Sequence, residues 1–134
     1  RLLDIQKMIE AQDLNGAGTE LKKLAADNPS EPRIYYTIGR VASLAAASVT
    51  DPDIQAQKLL DAKVAYSNVL RTAKQDTDKA LLSLTYVALA RIYEFAGEDA
   101  YALQLYDKAI QLDDIAGGAF RDAIAGKQNL LKKQ

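Results

Sequence analysis

The chain has 134 residues, 49% of them hydrophobic and 26% charged, a balance typical of one globular domain with a sizeable core. Seventeen basic residues against eighteen acidic ones give a net charge of −1, so no bulk field draws the chain to nucleic acid. Cysteine and histidine are both absent, which excludes disulfides, removes the commonest general base and metal ligand, and points away from catalysis.

No apolar run is long enough to span a membrane. The chain opens at Arg1 with a helical pattern already under way. We read it as a piece of a longer protein in which any targeting signal is not visible, so cytoplasmic and bacterial periplasmic locations both stay open.

From Arg1 to Ala11, apolar Leu2, Ile5, Met8 and Ile9 recur at helical spacing. The turn residues Asp13-Leu14-Asn15-Gly16 break that pattern, and a second helix is expected from about Ala17 to Asp27. Asn28-Pro29-Ser30 stops it, with Ser30 as N-cap and Pro32 in the first turn of a third helix. The stretch 41–50 of that helix carries no charge, which suits a buried helix end. Asp51-Pro52 is a strong start for a fourth helix, expected from Pro52 to about Ala73. A fifth begins near Asp78, a sixth follows Gly97, and a last runs from Ala119 to about Lys132.

Within this pattern a motif repeats. Residues 86–114 read Tyr86-x2-Leu89-Ala90-x2-Tyr93, a turn at Gly97, then Ala102-x3-Tyr106-x2-Ala109, with Asp114 at the closing position. Ala17-x3-Leu21-x2-Leu24-x4-Pro29 gives the second half alone. Tyr35-x2-Ile38-Gly39-x2-Ala42 gives the first half, and Ala62-x3-Tyr66-x2-Val69 completes it about eleven residues late. The motif resembles the tetratricopeptide repeat, whose period is about 34 residues. Small residues let two antiparallel helices approach, larger ones fill the space around them, and one pair alone cannot bury its apolar faces.

The resemblance implies an all-α chain: a right-handed superhelix of antiparallel helix pairs, about seven helices in all. Its repeats would occupy about 1–31, 32–76 (lengthened by the insert) and 77–116, with a capping helix at 117–134. Lys127 stands on that last helix where a further repeat would demand an apolar residue. The implied function is a scaffold that binds a segment of another protein in a concave groove, with no cofactor. Self-association, or packing on the rest of its own chain, is the alternative.

In this family the outward face of the first helices lines the groove. At about 100° per residue, that face carries Arg33, Tyr36, Thr37, Arg40 and Leu44 in one repeat. In the next it carries Leu84, Val87, Ala88, Arg91 and Phe95, and Arg121 of the last helix extends the row. Arginine beside aromatic and aliphatic surface suits a peptide with apolar anchors and acidic groups. The alternative for Arg91 and its fellows is a solvated face paired with local acids such as Glu94 and Asp122. The fifth helix is apolar nearly all round, which points to burial of Leu84, Val87 and Phe95 instead. Modules that grip chaperone tails place Lys and Asn where this chain has Leu2, Gln6, Thr37, Leu84 and Ala88, so that clamp is missing. The acidic pairs Asp51/Asp53, Asp76/Asp78 and Asp113/Asp114 sit at helix ends, where capping accounts for the first two.

Overall fold

The computed structural model describes residues 2–133. These form seven α-helices and no strand: α1 (Leu2–Glu10), α2 (Leu14–Asp27), α3 (Pro32–Ser48), α4 (Pro52–Thr72), α5 (Lys79–Phe95), α6 (Asp99–Gln111) and α7 (Phe120–Lys132). The fold is all-α. Among the described residues no helix is long and apolar enough to cross a membrane.

Capping chemistry sets the helix ends, and it moves two of the expected boundaries. Asp13 does not break the chain for long. Its carboxylate accepts a hydrogen bond from the Gly16 N–H at 3.0 Å, so α2 begins at Leu14 rather than near Ala17. Ahead of α3 the cap is Glu31, not Ser30: its carboxylate accepts from the Arg33 N–H at 3.2 Å, and Pro32 takes the first helical position. Asp51 and Asp78 cap α4 and α5 as their sequence positions imply, accepting from Asp53 and Ala80.

Two of the interhelical turns share one design. After α1, Gln12 adopts φ 67°, the Gln12 N–H donates to the Ile9 carbonyl, and the Asp13 N–H donates to Met8. After α5, Gly97 adopts φ 81°, its N–H donates to Glu94, and the Glu98 N–H donates to Tyr93. Both are left-handed caps that satisfy the last carbonyls of the helix and reverse the chain. Glycine does this freely at 97, whereas Gln12 holds a backbone conformation that side chains disfavour.

The chain divides into two compact units, one ending at Thr72 and the other beginning at Ala73. In the first, α1 packs on α2, α2 on α3, and α3 on α4. Ile5, Ile9, Leu21, Leu24, Ile34 and Val41 form its core. At Gly39 α3 leaves room for a ring of α4: a Cβ there would fall 2.5 Å from the Tyr66 ring. The eleven-residue delay becomes helix, as expected. It lengthens the front of α4, where the Gln55 side-chain amide donates to the Ala46 carbonyl near the end of α3.

In the second unit, α5 packs on both α6 and α7, and α6 packs on α7. The loop into α7 is tied to α5 by a buried hydrogen bond from the Ala119 N–H to Ser83 Oγ at 2.9 Å. Lys127 pairs with Asp107 of α6 at 2.7 Å, so the polar residue on α7 faces a carboxylate rather than a missing helix. Ala90, Ala102 and Ala109 are fully buried. Ala90→Leu therefore costs about 1–3 kcal/mol through overpacking. Thermal denaturation checks this, and a variant that melts with the parent would refute the role of Ala90 as a close-packing position.

Candidate functional site

The predicted site residues fall on three helices with unequal exposure. In the first unit α3 carries Arg33, exposed, and Tyr36, Thr37 and Arg40, all half-buried. The Tyr36 ring lies 5.8 Å from that of Tyr66, tilted by 53°. Burial pushes both phenols above their ordinary range, and the nearby Arg40 charge opposes the rise. Tyr66 reaches about 12 despite a side-chain hydrogen bond with Ser43. Arg40 is thus set beside neutral hydroxyls, part of a small polar patch.

In the second unit Val87 is only 2% exposed and presents no surface, so it cannot line an open groove. The cause is the position of α5 under both α6 and α7, which demands apolar residues on more than one face. Leu84 is half-buried for the same reason. Arg91 and Arg121 are exposed, as is Phe95 at 71%. Arg91 approaches Asp122 of α7 at 3.6 Å, the local pairing anticipated as the alternative, and a pair this exposed contributes little to stability.

An open groove of the first unit lies elsewhere. Helices α2 and α4 both pack on α3, and between them a groove of about 590 Å3 opens onto α3. Its floor is the edge of α3 bearing Tyr35, Ile38, Ala42 and Ala45. From the motif, Tyr35 and Ile38 belong to the inward face. They are half-buried, and what they face is this opening. Leu14, Gly18 and Lys22 of α2 form one wall, and Lys58, Asp61, Val64 and Asn68 of α4 the other.

One end of the groove is rigidly made. The Tyr35 hydroxyl donates to the Pro29 carbonyl at 2.9 Å, and the Arg71 guanidinium sits 5.9 Å from the Tyr35 ring centroid. Arg71 also donates to Asn68 Oδ1 at 3.0 Å, which orients the Asn68 amide. On the α4 wall Asp61 accepts from the Gln57 amide at 3.1 Å. Among the described residues neither Lys22 nor Lys58 makes an ion pair. Two uncommitted ammonium groups against one carboxylate give the groove a positive balance.

The α4 wall was out of reach of the motif, because the motif says nothing about where an inserted helical stretch will lie. One signal was present: Ile54, Leu60 and Val64 place apolar side chains on α4 that α3 does not cover, and Val64 remains 55% exposed. Val64 borders the groove on this wall. Acidic residues, by contrast, stay dispersed. Among the described residues no three of them gather as a metal site. Compared with family models and with curated proteins, the chain matches none.

Proposed function

We propose that the chain is a protein-interaction module of tetratricopeptide type, a superhelix of helix pairs that binds a segment of another protein. The observation that carries this reading is the groove on α3. It has the size of a ligand site, a floor that is largely apolar, and a few oriented polar groups on its walls. The helix pairs joined by matching left-handed turns at Gln12 and Gly97 support the repeat reading. The predicted arginines, taken unit by unit, are the weaker candidates: in the second unit Arg91 has a carboxylate beside it and Val87 is enclosed.

A second reading has an observation of its own. Leu44, Ile54, Leu60 and Val64 expose apolar surface on the α3–α4 hairpin, as a self-associating domain would. Sedimentation over a wide concentration range separates the two. The module reading expects a monomer that enriches a consensus from a peptide-display library. A dimer that strengthens with concentration and enriches nothing would replace it with self-association. The predicted arginines are checked in the same way: Arg40→Glu combined with Arg91→Glu leaves the melting temperature nearly unchanged. If these arginines bind the selected peptides, the same pair of substitutions weakens binding by tenfold or more, which corresponds to about 1.4 kcal/mol.

A further inference from the structure

Gly18 lies inside α2, where glycine lowers helix stability relative to alanine. At Gly39 and Gly126 there is a steric reason for the missing side chain, since a Cβ would strike the rings of Tyr66 and Tyr106. At Gly18 there is none. A Cβ there would meet no atom within 4 Å, and the residue opens directly into the groove on α3. With Ala45 on the floor it leaves room between the larger lining residues Tyr35, Ile38 and Val64, where another helix can come close.

We propose that this groove receives an amphipathic helix of a partner protein, its apolar stripe on α3 and its carboxylates turned to Lys22 and Lys58. The proposal rests on the interaction-module reading and names the occupant. From Tyr35 to Ala45 the floor runs about 15 Å at the helical rise, enough for roughly three turns of ligand. All three surrounding elements are helices that spend their backbone hydrogen bonds internally. They offer an extended peptide no ladder to join, whereas a helix arrives with its own backbone satisfied.

Charge fixes what flanks the stripe. Short loops make α2, α3 and α4 successively antiparallel, which the Tyr35–Pro29 and Gln55–Ala46 bonds pin at either end of α3. Lys22 therefore lies toward the Tyr35 end on the α2 wall, and Lys58 toward the Ala45 end on the α4 wall. Neither ammonium has an ion-pair partner among the described residues. A ligand helix with acidic residues two to three turns apart, on opposite sides of its apolar stripe, meets both. Like-charged ligands are rejected by the same groups.

The test selects peptides of about 16 residues, four helical turns, from a display library against the whole chain. Binding of the winners is then measured by fluorescence polarisation. Expected winners carry an apolar i, i+3, i+7 stripe flanked by Asp or Glu. Gly18→Phe fills the groove from a position with free space around it, so it keeps the parent melting temperature and weakens binding at least tenfold. Val64→Glu, at an exposed position, gives the same loss. Lys22→Glu with Lys58→Glu also weakens binding at least tenfold, and the loss is recovered by a peptide whose acids are exchanged for lysine. A structural role for the two lysines would not produce that exchange. If the winners bind Gly18→Phe and Val64→Glu as they bind the parent, the groove is not their site, although the module reading stands. Winners lacking acids, or no recovery on charge exchange, overturn the assignment to Lys22 and Lys58. If nothing is enriched, the module reading and this proposal fall together.

Discussion

Replacing Tyr106 by alanine lowers the stability of the chain by about 3–5 kcal/mol, the range for loss of a large enclosed aromatic side chain. Tyr106 is 2% exposed on α6, and its ring fills the space left by Gly126 of α7, where a Cβ would sit 2.3 Å from the ring. Its hydroxyl donates to Glu94 Oε1 at 2.9 Å, while Lys133 approaches the other carboxylate oxygen at 3.4 Å. One side chain thus connects α5, α6 and α7. Tyr106→Phe keeps the ring and removes only the hydroxyl, so it costs about 1 kcal/mol. Urea denaturation ranks the three proteins, and an alanine variant as stable as the phenylalanine one would show that the ring is not the element that matters.

The same residue predicts a response to alkali. Burial and the Glu94 carboxylate push the Tyr106 phenol to about 12, and burial does the same for Tyr66. An unfolded tyrosine loses its proton near about 10. The folded chain therefore holds these protons more tightly, a stabilising contribution complete below that value and lost as pH rises toward about 12. Stability measured between these limits falls with a slope that Tyr106→Phe reduces.

The second large effect is at the crossing of α3 and α4. Tyr66→Ala removes a ring that packs on Gly39 and Tyr36, and it costs about 3–5 kcal/mol. Gly39→Ala drives a methyl into that ring and costs about 1–3 kcal/mol. Each change relieves part of the other, because the alanine Cβ can occupy the space the ring vacates. The double variant is therefore more stable than the sum of the two losses by at least about 0.5 kcal/mol. Strict additivity in a denaturation cycle would mean that Gly39 is tolerated for backbone reasons and not for the ring above it.

Much of this architecture is written in residue types. Pro52 behind Asp51 gives the start of α4 almost by itself, and Tyr106 with Ala102 and Ala109 announces a close helix crossing. The boundaries that moved did so over hydrogen bonds of single side chains. Glu31 rather than Ser30 caps α3 because its longer side chain can still fold back on Arg33 N. Asp13 caps α2 because Gly16, three residues on, leaves room for its carboxylate.

The site was less legible, for a different reason. Helical angle says which residues share a face, but burial depends on which neighbour covers that face. Val87 and Arg91 share the outward side of α5, yet one is enclosed and the other exposed. Tyr35 and Ile38 carry a core motif and still border open space, since α2 and α4 stand apart over them. Lys22 and Lys58 gain meaning only when three helices are placed together.

The order of packing also bears on how quickly the native state is reached. In the first unit each helix rests on the one that follows it in sequence, and no strand pairing has to wait for distant segments. Loops of a few residues close at small entropic cost, so topology places little delay in the way of assembly. The α3–α4 hairpin combines the most extensive pairing with the longest helix, 21 residues, whose start is capped by Asp51. The α2 wall of the groove is held by α3 on one side and α1 on the other, so it is complete only with both helices in place.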